Sequence, residues 1–169
     1  MSKDDFTKFL DRVKDGIARF PMDVANIIAE TATEYFKGSF QRKAFDGSGW
    51  KRSIKGSGST LVQTGNLMNS IRPAEVTTKK VVISAGNGHV GYARIHNEGG
   101  EVEVTPRMRK FFWAMYYKSG KRGRLAEHWK SMALAKKIQI PQRQYMGDSG
   151  EMFDIMDKRI TQYIQNQLS

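Results

Sequence analysis

From Phe6 to about Phe40 the apolar residues recur at helical spacing, and this long period constrains the fold more than any other feature of the chain. Phe6, Phe9, Leu10, Val13, Ile17 and Phe20 form one stripe, which predicts an amphipathic helix over residues 4–20. Val24, Ile27, Ile28, Thr31, Tyr35 and Phe36 carry the period onward. Pro21 lies between the two runs. Its missing N–H and the restriction on its predecessor predict either two helices or one kinked helix across the N-terminal quarter.

Beyond Phe40 the helical period is lost. DGSGWKRSIKGSGST, residues 46–60, is rich in Gly, Ser and basic residues and reads as a flexible loop. Trp50 inside it is expected to anchor the loop to the body rather than to meet a partner. In LVQTGNLMNSIRP, Thr64 is a candidate N-cap, Leu67 and Ile71 share a face, and Pro73 is a stop, predicting a helix of about two turns. AEVTTKKVVISAGN alternates around a polar centre like a β-hairpin, with Val81, Ile83 and Ala85 on one face. GEVEV, residues 100–104, predicts a third strand.

Thr105 and Pro106 then start a helix whose apolar side is Met108, Phe111, Phe112, Met115 and Tyr116. A second helix, marked by Leu125, Trp129, Met132 and Ala133, is expected to run to Lys136 and Lys137. KIQIPQRQYMG predicts an edge strand halted at Pro141. Ser149 is the expected cap of a last helix with the stripe Met152, Ile155, Ile160, Tyr163, Ile164 and Leu168. Helices, a small antiparallel sheet and more helices make the class α+β, and strands that do not alternate with long helices disfavour a doubly wound parallel sheet. One domain is expected over residues 1–169: N-terminal helices 1–40, loop 46–60, an α+β core 61–147 and a C-terminal helix 149–169.

The absence of cysteine removes disulfides, thiol nucleophiles and Cys-based zinc sites. No apolar run is long enough to span a bilayer. MSKDDFTKFLDRVKD lacks the apolar core of a signal peptide, so a cytoplasmic site of synthesis and no membrane contact are expected. The net charge of +11 is uneven: residues 37–143 hold 21 Lys/Arg against 6 Asp/Glu. That excess implies a polyanion or an acidic partner, or else a merely soluble basic surface. Residues 107–143 carry 11 of the cations against Glu127 alone, with aromatics at core-like helical spacing and no helix-turn-helix, finger or RNA-binding motif. Nonspecific nearness to double-stranded DNA is the most this pattern supports.

Three arrangements resemble active-site chemistry. GNGHVG, residues 86–91, fits a dinucleotide fingerprint, but no second βαβ half comes after it, and a Gly/Asn loop is the better reading. His96 and Glu98 in YARIHNEGGEV have the spacing of zinc deaminases, whose metal shell needs the cysteines this chain lacks. His96 is instead expected as a half-buried residue bonded to backbone beside a turn at Gly99 and Gly100, with Tyr92 and Ile95 packed. Glu101 and Glu103 share a strand face, which is more often solvated than metal-binding. No catalytic residue, metal site or cofactor is therefore assigned.

Three blocks in this order resemble the phage virion morphogenesis family, the tail-completion and head–tail connector proteins of tailed bacteriophages and prophages. They are LVQTGNLMNSI, with Thr64, Gly65, Leu67, Ser70 and Ile71; YARIHNEGG, with Tyr92, Ala93, His96, Gly99 and Gly100; and IPQRQYMG, with Pro141, Arg143, Met146 and Gly147. The resemblance covers roughly residues 35–169 and leaves the basic and GSGS loops unmatched. It implies a non-enzymatic virion protein at the head–tail junction or proximal tail, with a fold similar to small connector and tail-terminator proteins. Such proteins assemble into rings, commonly sixfold, through which DNA passes. Its partners would be further copies of itself and neighbouring tail-tube, terminator or connector proteins. The basic loops, Lys51, Arg52 and Lys55 together with Lys118, Lys121, Arg122 and Arg124, would then line the lumen or dock on an acidic neighbour. A stand-alone, nonspecific nucleic-acid-binding protein is the alternative.

Overall fold

The computed structural model describes residues 3–51, 61–62, 64–87 and 90–168, so Arg52, Lys55 and the GSGS sequence lie outside the described residues. One helix, α1, runs from Lys3 to Arg42. Of the two N-terminal alternatives, the single helix is the one formed. At 1.5 Å per residue its 40 residues span about 60 Å. Pro21 lies inside it, where the lost i→i−4 bond costs about 3 kcal/mol. The helix continues because burial takes over immediately: Ala25, Ala29, Thr31, Ala32, Tyr35, Phe36 and Phe40 are all buried, whereas residues 14–22 are exposed.

The last helix, α6 (Gly150–Leu168), lies antiparallel along the second half of α1. Tyr163 donates to Asp23 Oδ2 at 2.6 Å and Arg159 reaches Glu34 Oε2 at 2.7 Å and Thr31 Oγ1 at 3.2 Å. The Ser149 hydroxyl accepts from Met152 N–H at 3.2 Å, the expected N-cap. Met152 and Met156 carry the buried stripe of α6, whereas Ile155, expected within it, is exposed.

Among the described residues the strands form three separate antiparallel pairs rather than one sheet, and the class is α+β as expected. The first pair, β1 (Ala44–Phe45) with β2 (Ser48–Gly49), falls where only loop was expected from Asp46 onward. Asp46 and Gly47 both have positive φ, 46° and 73°, the two-residue hairpin turn that an Asp-Gly pair favours. Trp50 just beyond it is an anchor: its indole N–H donates to Gln144 O at 2.6 Å and its ring stands edge-on to Phe40.

The expected hairpin is β3 (Arg72–Val76) with β4 (Val81–Ser84), closed by Thr77 and Lys80. Pro73 is therefore a strand residue at an irregular step of the ladder rather than a helix stop. Before it, α2 (Asn66–Asn69) is a single turn, shorter than expected. Gly65, in the left-handed conformation, occupies the cap position in place of Thr64, whose oxygen stands 3.5 Å from Asn66 N.

YARIHNE, expected as packed residues leading into a turn, is largely the helix α3 (Ala93–Glu98). β5 (Gly100–Glu103) is the predicted third strand and pairs with β6 (Lys137–Ile140), its register ending at Gly100 opposite Ile140, just before Pro141. Glu101 on this face is engaged by Lys137 at 3.3 Å and Gln139 at 2.6 Å. Between these strands stand α4 (Pro106–Lys118), capped by Thr105 Oγ1 accepting from Met108 N–H, and α5 (Arg124–Leu134). α5 stops at Leu134, before the lysines expected to end it, because Lys137 belongs to β6.

Two hydrophobic clusters result among the described residues. The larger joins α1, α2, α3, α6 and the first hairpins around Phe36, Phe40, Leu67, Ile71 and Tyr145. The smaller lies between α4, α5 and β5–β6, around Val104, Phe112, Trp129 and Ala133. Phe111 and Leu125, both expected on the apolar sides of their helices, are exposed.

Candidate functional site

The second and third sequence blocks meet on one another. Tyr145, 1% exposed, donates its hydroxyl to Ala93 O at 3.0 Å, and burial pushes its phenol up to about 12. Asn97 Oδ1 accepts from the backbone N–H groups of both Tyr145 (2.9 Å) and Met146 (3.0 Å). The Arg143 N–H donates to His96 O at 2.8 Å. The backbone of the third block is thus latched to α3 by bonds that the sequence motif does not reveal, because Asn97 and Tyr145 carry most of them.

The glycines of the block allow this approach. Gly99 has φ 74°, and a Cβ there would stand 2.9 Å from the Gln142 amide nitrogen. A Cβ at Gly100 would meet Ile95 Cδ1 at 3.0 Å. Gly147 turns the chain out of the latch with φ 142°, and Met146 packs on the main cluster.

The first block supplies the opposite wall. Leu67 and Ile71 are each 1% exposed in the same cluster as Ala93 and Tyr145. Ser70 donates to Leu67 O at 2.7 Å and accepts from Gly86 N–H at 2.9 Å, tying α2 to the end of β4. Thr64 is exposed and Gly65 supplies the turn.

His96 and Glu98 do not form a pair. Residues two apart on a helix point in widely different directions. Glu98 turns to Arg94 at 2.9 Å, while the His96 ring lies edge-on to the half-exposed Tyr92. The backbone bond expected of the His96 side chain is also missing: Nδ1 is buried with no hydrogen-bond partner, as is Arg143 Nε. Burial, and then the nearby Arg143 charge, hold the His96 pKa below its ordinary value; burial likewise lowers that of Arg143. No group of acids and histidines suited to holding a metal occurs among the described residues.

A polar junction invisible to motif reading fastens α1 to α6. The Tyr35 hydroxyl donates to Glu151 Oε2 at 2.8 Å and accepts from Asp46 N–H at 3.2 Å. The Ser149 hydroxyl lies 2.8 Å from both Tyr35 Oη and Asp46 Oδ1. Burial is the main cause of the raised Tyr35 pKa, and the Glu151 carboxylate adds to it. Every donor and acceptor here serves the fold, the hairpin turn being bound to the start of α6.

The basic residues are placed differently. Lys51, Lys118, Lys121, Arg122 and Arg124 are exposed, the last four at the α4–α5 connection. Lys121 has φ 60° and sets its ammonium 4.9 Å from the Tyr117 ring centre. Among the described residues none of these five cations is held in a salt bridge. Most motif residues are thus buried or half-buried, and these basic residues lie outside.

The model of the phage virion morphogenesis family matches residues 4–168. No curated protein and no solved structure gives a significant match.

Proposed function

The chain belongs to the phage virion morphogenesis family, and from that premise we propose that it is a structural, non-enzymatic component of the virion that completes the tail or neck. It is assembled in the host cytoplasm and acts at the head–tail junction or the proximal end of the tail. Copies close into a ring through heterologous contacts, one patch meeting a different patch on the next subunit, with sixfold symmetry the expectation. The ring docks on tail-tube, terminator or connector proteins around the DNA channel, and the fold is read as one of the connector and tail-terminator kind.

A division of labour between interior and surface carries this reading past the general role of the family. The segments that hold the motifs are packed and hydrogen-bonded to one another inside the chain, with Asn97 and Tyr145 making most of the bonds between the second and third. The exposed cations at the α4–α5 connection offer charge without a base-reading element, which suits phosphate or an acidic neighbour passing at close range. Phage lacking this chain should yield separated heads and tails, visible by electron microscopy and rescued by the wild-type gene. Reversing Lys121, Arg122 and Arg124 together should impair assembly or DNA retention; particles unaffected by that change would overturn the assigned role of the connection.

The same exposed cations also favour a stand-alone nonspecific nucleic-acid-binding protein. That reading predicts a monomer that binds DNA with a steep salt dependence at physiological ionic strength.

A further inference from the structure

Two exposed surfaces on this chain are complementary in charge and alike in carrying large apolar side chains. On α4 and α5, Phe111 is 53% exposed and stands edge-on to Trp129 at 6.0 Å, and Leu125 is exposed one turn before that tryptophan. Around them the sequence places Arg107 one turn before Phe111, and Lys121, Arg122 and Arg124 beside Leu125, all exposed. The second surface lies along α6, where Phe153 is also 53% exposed. Phe153 borders an open groove of about 350 Å³ between α1, β4 and α6, lined by Ile28, Phe36, Val81, Ile83 and Met156. Asp148 lines this groove, Asp157 is exposed one turn after Phe153 at its rim, and Asp154 is exposed next to Phe153 on the outer side of the helix, the last two free of salt bridges among the described residues.

We propose that the acidic, apolar α6 groove of one copy receives the basic, apolar α4–α5 face of the next. The pairing rests on the ring reading and names the two faces that would close it. The occupant is a second copy because one chain carries both halves of the match, each built on a different hydrophobic cluster. A contact between unlike patches propagates head to tail, which is what ring closure requires. Apolar side chains at the centre with opposite charges around them are the composition expected of such an interface.

Charge exchange tests it. The variant Asp154→Lys/Asp157→Lys sets lysines against the basic residues of the facing copy, and Arg122→Glu/Arg124→Glu sets glutamates against its acidic ones. Each alone should weaken self-association by about a hundredfold, since like charges are then juxtaposed. Mixed in equal amounts, they should reassemble into complexes with an even number of copies, because each altered face finds its opposite only on the other variant. A chain carrying all four substitutions should assemble alone. Recovery on mixing also excludes misfolding as the cause of the single-variant losses. Wild-type oligomers with both variants assembling normally, or losses that neither mixing nor the four-substitution chain restores, would overturn this pairing while leaving the ring reading intact. A wild-type protein that stays monomeric at the highest attainable concentration and in phage lysates would overturn both.

Discussion

Replacing Asn97 by alanine should be among the most damaging single changes outside the apolar core. One side-chain oxygen accepts two backbone N–H groups, from Tyr145 at 2.9 Å and Met146 at 3.0 Å, and alanine would leave both donors without their partner. Each orphaned buried donor costs about 1–3 kcal/mol, and some relief comes from water because the site is only half-buried. The net loss should be about 2–4 kcal/mol. For a chain of this length about 1 kcal/mol moves the midpoint by 2–4 °C, so the melting temperature should fall by roughly 5–15 °C. Asn97→Asp keeps an acceptor oxygen and should lose distinctly less. Thermal unfolding monitored by circular dichroism, with urea melts for the free energy, reads both variants. An alanine variant that melts within a degree of wild type, or an aspartate variant as damaged as the alanine one, would refute the latch.

Gly99→Ala should cost about 2–4 kcal/mol in urea unfolding, because the left-handed backbone and the Gln142 amide both resist a Cβ. His96 gives a pH dependence of known sign: its folded pKa is lowered, so its contribution is full above the unfolded value of about 6.5 and is lost as pH falls through the lower folded value. Urea melts at pH 7 and pH 5 should show this loss in wild type and a flatter profile in His96→Gln. Phe111→Ser should cost about 1 kcal/mol, chiefly its edge contact with Trp129, whereas Phe112→Ala, one residue on, should cost about 3–5 kcal/mol by the same melts.

The contrast between Phe111 and Phe112 also marks where the sequence is legible. Periodicity locates α1, α4, α5 and α6, and Thr105 and Ser149 cap their helices as expected, since capping is a local matter of one oxygen and one N–H. Periodicity is blunt about edges: Phe111, Leu125 and Ile155 lie at helical spacing yet outside the packed stripe, because the partner element decides how wide that stripe is. The β1–β2 hairpin has its Asp-Gly turn in plain view, but strands of two residues are too short to alternate. Thr64 has the chemistry of a cap, and the φ of Gly65 overrides it.

The site is legible in its residues and not in its bonds. Gly99, expected in a turn with Gly100, admits a close approach of the Gln142 backbone, which lies far along the chain, whereas Gly100 makes room for Ile95. His96 and Glu98 are near neighbours in sequence, and the helical twist of α3 separates them. Asn97 and Tyr145 carry no motif signal because a side chain that bonds to distant backbone leaves no spacing signature. The junction of Tyr35 and Asp46 with Ser149 and Glu151 is hidden for the same reason, the bonds between these two pairs spanning more than a hundred residues.

The central claim is that this chain acts by assembling with copies of itself, and the mass and symmetry of the purified wild-type protein test it most directly. Light scattering combined with negative-stain imaging should give a closed ring with a single copy number. A monomer that binds DNA with steep salt dependence and forms no ring would contradict the account.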